Sequence, residues 1–427
     1  SNWVKGEFGN PIARIDLAKG KTVQNKILGN VYADLTPIKG LKFTTRFGLD
    51  AAFQDHHNWS PTFWFSSESL NTIATGNDGW DKWFTWQWEN FASYDKMINE
   101  HHFTILAGSA IQKYTYKNLN GRYSGLFREE DKWAYGDYVP DDEDRIASRP
   151  EYRSLASFFG RLSYDYKGKY LFNATLRRDG SSMLAAGNQW GSFPSVSAGW
   201  LISGEDFYTG AIANTLNYIK LRASWGQNGS LGPLYPGQWQ ASISTDVGGV
   251  IRYPGADGVY QVGAAPTSLP NPFLTWETSE QFDIGLDFKL FQERLIFTVD
   301  YYNKKTVDLI TPGTPPLFAG SNLPFVNGGD VVNKGFEFEV GYTGGEGKAF
   351  QYGISANFTT LHNEVTYLNP LVGNIQGVNV GTSWSGATQF RLGEPIWYFN
   401  GYKTAGIFQN QAQIDQYIAD NGLTGYT

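Results

Sequence analysis

The chain has 427 residues, with 34 Lys and Arg against 41 Asp and Glu for a net charge of −7, and it contains no cysteine. The missing cysteine excludes disulfides, thiolate metal sites and cysteine nucleophiles, and a mildly acidic balance without a basic block argues against nucleic acid as a partner. No apolar run approaches the ~18 residues of a membrane-crossing helix, which still leaves open a barrel whose strands show lipid only at every second residue.

The N-terminal Ser1-Asn2-Trp3-Val4-Lys5 has no apolar core behind a basic start, so either a signal has been removed or the chain begins within a longer protein. From there the dominant signal is alternation. Phe43, Thr45, Phe47, Leu49, Ala51 and Phe53 face Thr44, Arg46, Gly48, Asp50, Ala52 and Gln54 across one strand. The same pattern, one greasy face and one wet face, predicts strands over 22–35, 41–54, 82–94, 102–115, 152–167, 169–179, 191–203, 217–227, 275–290, 293–309, 331–343 and 349–362, with a thirteenth within 386–402. Glu337 and Glu339 fall on the wet face. The links alternate between short and long, and the long ones are 55–81, 116–151, 180–190, 228–274, 310–330 and 363–385. One short-side link, Gly204–Leu216, has room for a turn of helix. The expected fold is therefore all-β: an antiparallel, up-and-down transmembrane barrel with tight turns at one rim and large loops at the other. Strands of ~12–17 residues exceed what a globular sheet usually has. Trp59, Trp83, Tyr94, Tyr114, Tyr116, Tyr164, Tyr166, Tyr170, Trp200, Trp225, Tyr301, Tyr302 and Tyr342 lie near strand ends, where rings settle at headgroup level.

Catalytic signals are weak. His56-His57 and His101-His102 are adjacent pairs that point to opposite faces of a strand, so neither pair readily shares a metal; His362 stands alone. Asp179-Gly180-Ser181-Ser182 reads as a turn, and there is no phosphate loop or HExxH. No enzyme is expected. The acidic run Asp141, Asp142, Glu143 and Asp144 offers oxygens to a loop Ca²⁺, or is simply solvated. Trp59, Trp64, Trp80, Trp133, Tyr135, Tyr138, Trp190, Tyr235, Trp239, Tyr253 and Tyr260 sit in the long links among Asn, Asp, Gln and Gly. Such rings stack on sugars while amides and carboxylates bind hydroxyls. They suit peptides as well, and they also suit packing within the loops.

Several runs carry a family resemblance. Phe159-Gly160-Arg161-Leu162-Ser163-Tyr164, the stretch Tyr170–Ser182, Phe193-Pro194-Ser195-Val196-Ser197-Ala198-Gly199-Trp200, Lys220–Gly229, Leu274–Gly285, Asp300–Thr306, Asn333–Glu337 and Gly401–Phe408 together resemble the barrel of SusC/RagA-type TonB-dependent outer-membrane transporters. The resemblance implies a 22-stranded barrel in the outer membrane, closed by an N-terminal plug and lidded by a SusD-like lipoprotein. It implies import of oligosaccharides or peptides, driven by TonB through a region outside this chain. Because no plug-like segment is recognisable and only about 12–14 strands can be counted, all of 1–427 is read as a partial barrel domain of a longer protein. A passive porin or adhesin barrel, closed by itself, is one alternative, and a secreted carbohydrate-binding or glycosidase β-protein is another.

Overall fold

The computed structural model describes residues 11–17, 19–66, 69–139, 145–245, 252–255, 258–314, 322–378, 386–404 and 406–422. A short helix, α1 (Pro11–Leu17), precedes the sheet. The long strands are β1 (Lys19–Ile38), β2 (Leu41–Ser60), β3 (Thr75–Ile98), β4 (His101–Ser124), β5 (Glu151–Tyr166), β6 (Tyr170–Ser181), β7 (Trp190–Leu201), β8 (Leu216–Ser230), β9 (Glu277–Leu290), β10 (Leu295–Pro312), β11 (Phe325–Gly344) and β12 (Tyr352–Thr359). They pair antiparallel in strict chain order from β1 to β12. A further strand, β13 (His362–Leu368), continues β12 along the upper half of β11. The break between them is a local kink. Thr360 takes the place of a strand residue, with its N–H on the Phe336 carbonyl at 2.8 Å and its Oγ1 accepting from the Phe336 N–H at 2.8 Å. Gly335 is required there, because a Cβ would lie 1.9 Å from the Thr360 carbonyl oxygen.

Register sorts the side chains onto two walls. Leu41, Phe43, Phe47 and Leu49 on β2 oppose Tyr94, Ala92, Trp88 and Trp86 on β3. Ile105 on β4 opposes Leu162 on β5, which opposes Ala174 on β6. Phe282, Ile284 and Leu286 on β9 continue that face. No second sheet covers it among the described residues: Ile105, Phe158, Leu176, Phe282, Phe336 and Phe358 all remain exposed. A protein surface this apolar is wetted by hydrocarbon, not water.

The opposite wall is polar and cross-linked. Lys42 pairs with Asp34 at 2.8 Å, Lys26 with Asp50 at 3.0 Å, and Arg46 with Glu89 at 3.7 Å. Arg222 spans three strands, with Nε 3.2 Å from Asp287 and Nη2 2.6 Å from Asp300. It lies over Gly285, where a Cβ would meet the Asp300 carboxylate at 2.1 Å and the guanidinium carbon at 2.6 Å. Glu337 and Glu339 share this inner wall, opposite Asp300 and Thr298.

The two rims differ as the sequence implies. At the short-turn rim, rings form a run along the outer face. Phe103 and Tyr164 are 4.9 Å apart, Tyr166 and Tyr170 6.2 Å, and Tyr170 and Trp200 6.4 Å at 9°. The link after β7 does hold a helix, α2 (Ala211–Thr215). The turn Phe291–Glu293 runs left-handed at three non-glycine residues and is held by Asn217, whose Oδ1 accepts the Gln292 N–H at 2.6 Å. Glu205 knits the neighbouring turn, accepting from Trp200 Nε1 at 2.9 Å and Lys169 Nζ at 3.3 Å.

Three expectations change. Strands β3 and β4 are 24 residues each, so their hairpin rises well beyond the apolar belt. Residues 386–402 supply no barrel strand; Thr388–Phe390 and Tyr398–Phe399 instead form a small sheet with Ile375–Gln376. Of the aromatics expected in the girdle, Trp83, Tyr114, Tyr116 and Tyr302 have inner-wall register, and Trp59 is buried at the loop rim.

A charge placed on the outer wall should cost far more than the same charge inside. Leu162→Arg is expected to destabilise the lipid-folded protein by about 2–4 kcal/mol, and Ser163→Arg on the inner wall by much less, measured by denaturant titration in vesicles. Hydrogen bonds from Tyr170 and Trp200, aided by Lys169, hold the Glu205 carboxyl below its ordinary 4.5. Its stabilising contribution is therefore complete above that value and disappears as pH falls through the lower folded value. Hydrogen exchange over 202–208 should accelerate selectively in that acidic window and stay flat from pH 5 to 8.

Candidate functional site

The loop rim is built from strand extensions and packed links. Trp59, at the top of β2, is buried and donates from Nε1 to Asp131 at 2.9 Å. Its neighbour Tyr123 reaches the Ala134 carbonyl at 2.6 Å and Asp78 at 3.0 Å. Tyr135 stacks on His57 with ring centres 4.4 Å apart, while His57 Nδ1 meets Asp78 at 2.5 Å. Trp133 and Tyr138 pack edge to face at 5.1 Å, with Arg128 and Lys132 over the Trp133 ring. The link 125–139 is thus fastened to β2, β3 and β4. His56 points the other way, to Asn77 at 3.2 Å, so the adjacent histidines do occupy opposite faces.

A second knot joins three other links. Met183, Leu184, Leu234, Leu274 and Ile310 are buried together, with Leu231, Trp276 and Phe325 against them. Asn327 braces it, accepting from the Thr275 N–H at 3.0 Å and donating to the Asp308 carbonyl at 2.9 Å. Below the knot, Arg161, Asn173, Arg177, Asp179, Ser195, Gln281 and Asp283 line an open trough on the inner wall. Arg177 is fixed there by Asp179 at 2.8 Å and Ser157 at 2.9 Å.

The aromatic candidates do not form one cluster. Trp59, Trp133, Tyr135 and Tyr138 hold the 125–139 link. Trp64 stands 71% exposed on a small hairpin, Phe63–Ser66 with Ser69–Asn71. Trp80 carries Lys82 over its ring at 4.1 Å. Trp190 is the first residue of β7, not a loop residue, and lies on the outer face against Phe158 at 6.0 Å. Trp239 is half-buried, and its carbonyl accepts from the Asn271 N–H at 2.9 Å. Tyr260 is exposed. The backbone of Tyr253 pairs with Gln261, and its side chain lies outside the described residues. Asp141, Asp142 and Asp144 lie outside the described residues altogether.

The sequence reading missed an inner-wall group. Trp83 stacks on Tyr116 at 5.5 Å, and Tyr116 donates to Asp81 at 2.6 Å. Arg153, ion-paired to Glu151, lies between the rings of Tyr114 and Tyr235 at 5.5 and 5.9 Å. Parity held the clue: Phe84, Trp86 and Trp88 are the outer residues of β3, which places Trp83 inside. The rim and trough together offer flat rings, guanidinium groups and carboxylates to a polar ligand.

A family model described as TonB dependent receptor-like, beta-barrel, matches residues 8–427. The chain belongs to this family. A TonB-dependent receptor of Formosa agariphila is 30% identical over 428 residues, covering 96% of this chain and 41% of that protein. The TonB-dependent receptor SusC of Bacteroides thetaiotaomicron is 29% identical over 381 residues, covering 84% of this chain and 35% of SusC. This TonB-dependent receptor barrel chain therefore spans about two fifths or less of these relatives' length. In fold it matches the solved RagAB peptide transporter with a TM-score of 0.74 at 21% identity, over 90% of this chain and 40% of that one.

Because Trp59 is a packing residue, Trp59→Ala is expected to cost about 3–5 kcal/mol locally and to open 125–139 to protease. Trp64→Ala should leave that cleavage pattern unchanged.

Proposed function

We propose that the chain is the barrel part of a TonB-coupled importer of oligosaccharides or peptides in the bacterial outer membrane, working with a SusD-like surface lipoprotein. The observation that carries the reading is the division of one sheet into an apolar outer wall and a charged inner wall, with all large links gathered at one rim. Family membership supports coupling to TonB, and the resemblance to SusC/RagA-type transporters is what suggests the lipoprotein partner. Trp64, Tyr138, Trp239, Tyr253 and the inner-wall rings would meet cargo; Trp59, Trp80, Trp133 and Trp190 would act mainly by shaping the rim. A loop Ca²⁺ at Asp141, Asp142 and Asp144 would stiffen the same link.

The bare edges favour this reading over a self-contained porin. Among the described residues β1 pairs only with β2 and β12 only with β11, and both are exposed at every position. Higher up, β13 is covered: Val365 exchanges bonds with Glu394 and Gly393 at 2.9 Å. An uncovered edge in hydrocarbon leaves polar backbone unsatisfied, so we assign to the rest of a longer protein the strands that pair with β1 and β12.

The test is uptake of labelled oligosaccharide and labelled peptide by cells carrying the full-length protein, with and without TonB. Import of one cargo class that stops without TonB is the expected result. Entry that persists without TonB would establish a passive pore. Trp64→Ala should weaken cargo binding about two- to tenfold, measured by calorimetry on the purified full-length protein.

A further inference from the structure

Where the outer apolar belt ends toward the loop rim, the wall carries cations that no carboxylate answers. Lys82 on β3 and Lys117 on β4 are direct cross-strand partners, and Lys113, one turn of alternation below Lys117 past Thr115, partners Trp86. Arg178, on the same face of β6 over the Trp190 ring, stands apart from them, in the row of Phe158 and Ser109, four residues further along β4 than Lys113. All four are exposed. Many cations of the sheet are engaged: Lys26, Lys42, Arg46, Arg153, Arg177, Arg222 and Lys305 each hold an acid. Among the described residues none of Lys82, Lys113, Lys117 or Arg178 has one within 4.0 Å. Asp55, on the same face in register with Trp80, is exposed and makes no ion pair with them.

This arrangement is unfavourable in isolation. Directly opposed residues have Cβ atoms about 4.5–5.5 Å apart, and like charges there destabilise the sheet. An anion between Lys82 and Lys117 reverses the sign. Phe53 lies beside Lys82 as its partner on β2, and Phe84, Trp86, Trp88 and Ile111 follow further down the strands as the start of the apolar belt. The surface thus calls for a ligand with a negative head and a long apolar tail, held at one fixed depth.

We propose that Lys82, Lys113 and Lys117 bind the phosphate-bearing headgroup of an outer-leaflet glycolipid, with its acyl chains on Phe84, Trp88 and Ile111. The proposal rests on the reading that this wall faces lipid. Lysines at a belt edge also reach water merely by extending their stems, and phosphate dependence separates the two cases.

The experiment is native mass spectrometry of the detergent-solubilised full-length protein, titrated with monophosphorylated lipid A and with its phosphate-free counterpart. The expected result is preferential retention of the phosphorylated lipid, lost by about fivefold for each lysine replaced in K113Q, K117Q and K82Q/K113Q/K117Q. The inner-wall variant K26Q should keep the full preference. Equal retention of both lipids by the wild type, or an undiminished preference in K113Q and K117Q, overturns the phosphate site. Retention of neither lipid likewise overturns the site, while the lipid-facing reading fails separately, if Leu162→Arg costs no more than Ser163→Arg. The single variants keep the test decisive if the triple variant does not fold.

Discussion

Hydrocarbon offers no hydrogen bonds, so every backbone N–H and C=O that enters it must be answered by another strand. Most of this architecture follows from that constraint. It explains an unbroken antiparallel path from β1 to β12 in chain order, because a skipped neighbour would leave a polar row facing lipid. It also explains where irregularity is tolerated. The register shifts near Asp308 on β10 lie above the belt, beside Asn327 and water, where a missed ladder bond can be replaced. The Thr360 kink survives because its hydroxyl and amide restore the bonds a strand residue would have made.

With the backbone satisfied laterally, the two faces are free to diverge. The outer wall needs only apolar area, so Leu, Ile, Val and Phe alternate there with rings at the rim. The inner wall is wet, and its charges pair across strands in short bridges such as Arg222 with Asp287 and Asp300. Half-exposed pairs of this kind contribute little individually to stability. Their effect is to fix long side chains flat against the wall, which keeps the interior open. The cations at the outer belt edge differ in that two of them, Lys82 and Lys117, oppose each other directly across the strands with no acid between them.

The asymmetry of the rims has a similar cause. At the short-turn rim, turns such as 291–294 and the Glu205 knot spend few residues and are held by single side chains. At the other rim the strands outrun the membrane, and β3 and β4 pair in water up to Thr75 and Ser124. Above the belt, links acquire small cores of their own, around Leu184, Leu234 and Leu274, or around Val331, Val365 and Phe390. These cores turn large loops into shaped walls for a ligand.

Alternation in the sequence by itself determined the all-β class, the up-and-down order, the inner and outer faces and the decorated rim, because lipid on one side and water on the other imprint a period of two on every strand. The family resemblance had a different source, particular runs such as Phe159–Tyr164 and Lys220–Gly229. That imprint fades where both faces are wet, which is why residues 75–81 and 116–124 read as loop although they are strand. It fades again at ring-rich positions, where Trp83 and Tyr116 match the girdle in composition and differ only in parity. Only the tertiary structure decided which rings pack and which stand free, that Trp190 lies outside and Trp59 is buried, and that Lys82 faces Lys117. Those facts depend on register between strands distant in sequence, and register is set by the whole hydrogen-bonded sheet, not by any one segment.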